Sequence, residues 1–262
     1  MEKIADRELW KDMISMRKKI NNNFVYDEDE ARRELARRES DLQRKINETY
    51  VNFCKREGGL KYSGMPTKYR DMDFTDLLTT KENGQMINHL SKYVKNYKNM
   101  YKGIGLVGGM GVGKTTLIAI TCKEIVKRYK ASLYFADETT ILNEIKRSIN
   151  DMSLETPEDV IRNIANNDLV VIDEFGTTTN QWEISQIKKV MDLVINKRNK
   201  IFVTSNYSSS ELLQRWKDEN NNKTPKQVLD RMYEAMNVYK LEGKSFRRQS
   251  YQRKDLNYEI GI

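Results

Sequence analysis

The run Gly108-Gly109-Met110-Gly111-Val112-Gly113-Lys114-Thr115-Thr116 constrains this 262-residue chain more than any other stretch. It follows the apolar segment Ile104 to Val107 and precedes LIAITCKEIVKRY, a good helix former, so it reads as strand, loop and helix in succession. Its glycines let consecutive backbone N–H groups curl around a phosphate chain, and the helix start adds unpaired donors facing the same charge. Lys114 is placed to reach the β- and γ-phosphates, and the Thr115 hydroxyl to ligate Mg²⁺. Gly108 to Thr116 are therefore expected to hold a nucleoside triphosphate together with Mg²⁺.

Two further apolar strands end in polar residues suited to the same site. Leu169 to Ile172 lead into Asp173 and Glu174. Asp173 is expected to hold Mg²⁺ through water, and Glu174 to orient and polarise an attacking water, which favours hydrolysis over passive binding. Ile201 to Ser205 deliver Asn206, which can hold the lytic water or the γ-phosphate from the opposite side.

Around these strands the pattern alternates. GIGLVG, SLYFAD, LVVIDEF and KIFVTSN are separated by amphipathic segments such as TTILNEIKRSI and EISQIKKVMDLVINK. That alternation predicts an α/β fold with a mostly parallel sheet flanked by helices and functional loops at the carboxyl ends of the strands. Residues 1–57 read differently, as charged helix. Leu35, Leu42, Ile46, Tyr50 and Phe53 recur at helical spacings and form one apolar stripe that needs a partner, within the chain or outside it. Two adjacent glycines, Gly64 and Pro66 break the periodicity, so the expected division is a small helical N-terminal domain at 1–57, a linker at 58–66 and the nucleotide-binding core at 67–262.

Composition narrows the class. No apolar run reaches ~18 residues and MEKIADRELW is charged throughout, which predicts neither a membrane span nor a secretory signal. Two cysteines, Cys54 and Cys122, and a single histidine give neither a disulfide scaffold nor a zinc site, so a cytoplasmic setting is expected. The net charge is +8, with 17 basic against nine acidic residues in 51–150 and six against nine in 151–200. Such an excess suits a nucleic-acid partner, although a lysine-rich soluble surface explains it as well.

Taken together, GGMGVGKTT, LVVIDEFG, IFVTSN, the preceding GMPTKYRDMDFTDL segment and VLDRM with EGKSFR resemble the AAA+ ATPases of the helicase-loader group, which includes the DnaC, DnaI and IstB proteins. The resemblance covers roughly residues 60–250. It implies an AAA+ P-loop ATPase core, ATP hydrolysis coupled to placing a replicative DNA helicase on single-stranded DNA, and a homo-oligomer with ATP at subunit interfaces. By the same resemblance Arg231 matches the arginine finger that works in a neighbour's site, and Arg247 the sensor-2 arginine, with Arg248 as the alternative contact. Tyr62, Tyr69 or Phe74 would pack near adenine or in the core. Lys146 and Arg147 would face DNA in a central channel, and Lys188 and Lys189 lie on another exposed helix; a solvated helix face is the competing reading for each. The zinc-binding cluster of one loader branch is absent. Many lysines and asparagines with a short N-domain suit a phage or mobile-element version from a low-GC Gram-positive host. Three other functions fit parts of the pattern: a transposition helper, a nucleotide-gated interaction protein without turnover, and a small-molecule kinase, which leaves Arg231 and Asn206 unexplained.

Overall fold

Five parallel strands set the architecture of the computed structural model, which describes residues 15–16, 28–57, 59–150, 155–217 and 223–246. They are β1 (Gly103–Val107), β2 (Leu133–Asp137), β3 (Leu169–Asp173), β4 (Lys200–Ser205) and β5 (Met236–Lys240), in the order β2-β3-β4-β1-β5. Val, Ile and Leu, joined by two glycines in β1 and by Phe202 in β4, make β1, β3 and β4 strands buried on both faces, as a covered parallel sheet requires. β5 was not anticipated, because MNVYK is a half-polar edge segment without such a run.

Side chains alternate between two core clusters. Val170, Ile172, Ile201 and Val203 pack with α5 (Glu138–Asn150), α6 (Pro157–Ala165), α7 (Gln181–Asn196), α8 (Ser209–Arg215) and α9 (Lys223–Ala235). Leu169, Val171, Phe202, Ile104 and Leu106 pack with α2 (Thr67–Arg70), α3 (Gly84–Lys95) and α4 (Lys114–Tyr129). Each such side chain, fully buried, contributes roughly 1.5–3 kcal/mol against exposure. Cys122 is a free thiol within the second cluster. Among the described residues no helix is long and apolar enough to cross a membrane.

The chain falls into two compact units, 1–46 and 47–262, and the helix α1 (Glu28–Glu57) contributes to both. In the first unit Leu35, Leu42 and Ile46 of the apolar stripe are exposed. In the second, the Tyr50 and Phe53 rings lie 6.1 and 5.7 Å from that of Tyr62, and the Tyr50 hydroxyl donates to the Tyr62 carbonyl at 2.9 Å. These contacts draw the end of α1 into the second unit, so the units divide ahead of residue 57. The segment expected as a linker is likewise packed: Ser63 and Met65 are buried, and the Phe135 N–H donates to the Ser63 carbonyl at 2.6 Å. It thereby covers the outer edge of β2, an edge that would otherwise present unpaired backbone groups.

Candidate functional site

The parallel order brings the ends of β1, β3 and β4 side by side, and a cleft of about 680 Å³ opens there. Gly109 to Thr116 curl between β1 and α4. Gly111 takes φ +79°, and a Cβ on it would sit 2.2 Å from Ser245 Oγ, so a side chain at this point has neither the backbone angle nor the space. A Cβ at Gly108 would lie 2.1 Å from the Leu241 carbonyl oxygen, because the chain after β5 folds back along the loop. The Phe246 N–H donates to the Gly111 carbonyl at 3.0 Å. Arg247 and Arg248 lie outside the described residues.

Lys114 is buried, with Nζ donating to the carbonyls of Gly108 and Gly109 and to Asn206 Oδ1, all at 2.7 Å. The expected phosphate lysine and the expected β4 asparagine thus meet directly. Thr115 Oγ1 donates to Asp173 Oδ1 at 2.9 Å. The register Ile172↔Val203 sets Asp173 beside Thr204, whose hydroxyl also donates to Asp173 Oδ1 and accepts the Glu174 N–H at 3.1 Å. Glu174 is exposed to the cleft and holds φ +54°, a left-handed conformation that a side chain with Cβ adopts at a cost. The next N–H, of Phe175, donates to the Thr204 carbonyl at 2.8 Å, and Ser205 Oγ donates to the Phe175 carbonyl at 2.6 Å. Three hydrogen bonds to the end of β4 therefore fix the turn that aims Glu174.

A buried acid holds the rest of that turn. Glu138, at the junction of β2 and α5, is 1% exposed, and its Oε2 accepts the Thr177 N–H and hydroxyl at 2.6 Å and the Thr178 N–H at 3.2 Å. Burial raises its pKa above the ordinary carboxylate value, with these hydrogen bonds opposing the shift.

The other end of the cleft is lined by Tyr69, Met72, Leu77, Leu78 and Asn83. Asn83 staples the loop, donating from Nδ2 to the Leu78 carbonyl at 2.9 Å and accepting the Thr80 N–H at 2.7 Å. Lys123 of α4, fully buried, donates to the Met72 carbonyl and pairs with the Asp73 carboxylate. Burial alone would lower its pKa, but hydrogen bonds to Asp73 and Glu124 raise it, and the Lys123 hydrogen bond holds the Asp73 carboxyl below its usual range. Of the three aromatic candidates only Tyr69 lines the cleft; Tyr62 packs on Tyr50 and Phe53, and Phe74 packs against the core.

Other expected site residues lie elsewhere. Arg231 is on α9, its Nε 2.7 Å from Asp192 Oδ1 and a terminal nitrogen 2.5 Å from Glu234 Oε2. Lys146 pairs with Glu183, which also accepts the Thr178 hydroxyl, while Arg147 is exposed. Lys188 pairs with Asp192 at 2.7 Å and Lys189 is exposed. Thr204, Glu138, Lys123 and Met72 were missed. Their roles arise from strand register and from long-range contacts with no local motif.

A phosphate loop after β1, an acidic pair after β3 and an asparagine after β4 of a parallel β2-β3-β4-β1-β5 sheet define an AAA+ P-loop ATPase core. Residues 47–254 match the family described as IstB-like ATP binding protein, and the chain belongs to that family. The replicative helicase loader DnaI of Bacillus subtilis (strain 168) is 27% identical over 132 residues, 48% of this chain and 41% of that protein, so less than half of the relative is matched. Among solved structures, that of DnaI superposes with a TM-score of 0.56 at 21% identity, covering 70% of this chain and 94% of the other. That of the DnaC helicase loader gives 0.58 at 20% identity, covering 68% and 100%. At these identities the superpositions establish the shared fold.

Proposed function

We propose that the protein is an ATP-dependent loader of a replicative DNA helicase onto single-stranded DNA, active as a homo-oligomer in the bacterial cytoplasm. The observation that carries the reading is the convergence at one cleft of two hydrogen-bonded sets, Lys114 with Asn206, and Thr115 through Asp173 and Thr204 with Glu174. The likeness to DnaI supplies the partner class.

In this mechanism the backbone N–H groups of Gly109 to Thr115 and the Lys114 ammonium take the phosphate oxygens, Lys114 exchanging two backbone carbonyls for them. The Thr115 hydroxyl and the Asp173 carboxylate are two hard oxygen donors in mutual contact, a set that fits Mg²⁺, which takes its remaining ligands from phosphate and water. Bound there, the ion would neutralise charge on the phosphates. Glu174 accepts a proton from the water that attacks the γ-phosphorus, Asn206 holds that water or the γ-phosphate, and ADP and phosphate are the products. Tyr69, Met72 and Leu77 receive the base. Arg231 acts in a neighbour's site, exchanging Asp192 and Glu234 for phosphate oxygen, and Arg247 acts in its own. The exposed Leu35, Leu42 and Ile46 face of residues 1–57 docks the helicase, and Arg147 with Lys146, once exchanged from Glu183, meets DNA.

The family match favours a second reading, an ATPase helper of transposition whose partner is a transposase. Co-purification of the full chain with the cognate replicative helicase, with and without ATP, followed by mass measurement, tests the choice. A complex of defined mass is expected. No complex under either condition, with a transposase captured instead, overturns the loader assignment.

A further inference from the structure

Because all five strands are parallel, they begin together at the end of the sheet opposite the nucleotide cleft. The residues leading into them are rich in cations. Lys98 and Lys102 precede β1, Lys130 precedes β2, Lys197 and Arg198 precede β4, and Lys200 opens it. Among the described residues of these four lead-ins one carboxylate stands against the six cations, Asp168 ahead of β3, whose Oδ2 accepts the Ser132 N–H and hydroxyl at 2.9 and 3.1 Å; the lead-in of β5 adds Arg231 and Glu234, which pair with each other at 2.5 Å.

The cations form one edge. The Lys200 N–H donates to the Asp168 carbonyl at 3.0 Å, its ammonium stands 4.2 Å from the centre of the Tyr97 ring, and Lys98 lies over the neighbouring Tyr129 at 5.9 Å. Lys102 is steadied by the Tyr233 carbonyl at 2.7 Å, leaving it further donors. Tyr101, between Lys98 and Lys102, is 96% exposed.

Helix dipoles account for part of this charge. The carboxyl ends of α3, α4, α6, α7 and α9 reach the same edge, each equivalent to roughly half a negative charge, or about two and a half in all. Six cations less one carboxylate leave five, the Arg231–Glu234 pair ahead of β5 adding no net charge, so about two and a half positive charges stand beyond what the helices demand. An excess of that size beside an open aromatic face matches a phosphate backbone with unpaired bases, where counterion release supplies affinity and stacking tolerates any sequence.

We propose that this amino edge of the sheet binds single-stranded nucleic acid, with the lysines and Arg198 on the phosphates and Tyr101 stacked on a base. The proposal rests on the reading of the protein as one that works on single-stranded DNA and gives it a second surface, separate from Lys146 and Arg147 on α5. Stacking on Tyr101 needs a base free of its pair.

Fluorescence anisotropy of the full-length protein with a labelled thirty-nucleotide oligo-dT strand, at several salt concentrations, tests it. Lys98→Gln with Lys130→Gly and Arg198→Gly removes three charges; glycine suits positions 130 and 198, where φ is +55° and +58°. The log–log salt slope should fall by about 2, close to 0.7 per lost contact. Tyr101→Ala, too exposed to disturb folding, should weaken binding roughly five- to a hundred-fold with the slope kept. ATP titration should be unchanged in both, since the cleft lies at the other end. Wild-type affinity and slope in the triple variant, or wild-type affinity in Tyr101→Ala, overturns the proposal, and does so alone if Lys146→Ala/Arg147→Ala loses affinity. A wild-type protein with no affinity for the strand overturns this proposal and the single-stranded DNA part of the proposed function together.

Discussion

Glu174 combines a catalytic assignment with a strained backbone, and the two can be separated by substitution. At φ +54° its Cβ crowds the following carbonyl, which costs roughly 1–2 kcal/mol for a residue other than glycine. Glu174→Gly removes that cost but adds about 0.5–1 kcal/mol of backbone entropy lost on folding. The net expectation is a variant more stable than the wild type by about 0.5–1 kcal/mol, or roughly 1–4 °C in Tm for a unit of this size. Glu174→Gln keeps the Cβ and the strain, so its stability should stay within about 0.5 kcal/mol of wild type, as for an exposed site without special contacts. Both variants lose the carboxylate and should lose turnover by at least about a hundred-fold while still binding ATP. Calorimetry of the nucleotide-free proteins, at equal concentration, beside steady-state phosphate release, reads both effects. A glycine variant no more stable than the glutamine variant refutes the strain, and a glutamine variant hydrolysing ATP at the wild-type rate refutes the water-polarising role.

Three other substitutions probe the groups around it. Lys123→Met keeps the buried volume but leaves the Met72–Leu78 segment without its anchor; ATP affinity should drop roughly ten-fold, about one hydrogen bond, with affinity for inorganic triphosphate unchanged, and equal loss of both would reject a role at the base. Glu138 has a raised pKa in the fold, so the folded state binds more protons above pH 4.5 and the wild type should lose stability as pH rises from there; thermal melts of Glu138→Gln should show that dependence flattened. Mixing Arg231→Ala with Lys114→Ala should restore some ATPase that neither shows alone, because one interface then combines an intact finger with an intact phosphate loop; no recovery in mixtures shown to co-assemble returns Arg231 to its ion pairs with Asp192 and Glu234.

What the sequence discloses about this site follows from how local each cause is. The phosphate loop is local, because its glycines, lysine and threonine act within nine residues of one strand-to-helix turn. Asp173, Glu174 and Asn206 were legible as polar ends of apolar strands, since an all-parallel sheet collects such ends at one edge. Thr204 was not, although it lies in the same IFVTSN run. Its hydroxyl matters only because β3 and β4 pair in the register that sets it against Asp173, and a single strand carries no record of its neighbour's register. Lys123 was hidden in the amphipathic pattern of α4, where a lysine reads as solvated face. It is buried because the Met72–Asp73 turn offers it a carbonyl and a carboxylate from fifty residues away in sequence. The N-terminal boundary was displaced for a related reason: Tyr50 and Phe53 continue the periodic stripe of α1, but they find Tyr62, while Leu35, Leu42 and Ile46 do not find a cover among the described residues of their unit.

The same topology explains why the two ends of the sheet carry opposite electrostatic demands. With every strand parallel and helices returning between them, helix amino ends gather where the strands finish and helix carboxyl ends where they start. Amino ends favour anions, so in the proposed site a nucleotide's phosphates meet the start of α4 with Lys114 as an added cation, while Thr115, Thr204 and the left-handed turn fix the positions of the acids Asp173 and Glu174. Carboxyl ends favour cations, and at the far edge lysines can accumulate without mutual cost until they outnumber the dipoles they offset. A polyanion bound at that edge would relieve the surplus repulsion without competing for the nucleotide's donors, since the length of the strands separates the two. On the proposed reading, ATP and nucleic acid would occupy one small α/β core at once, each at the end whose backbone charge it complements directly or through lysine.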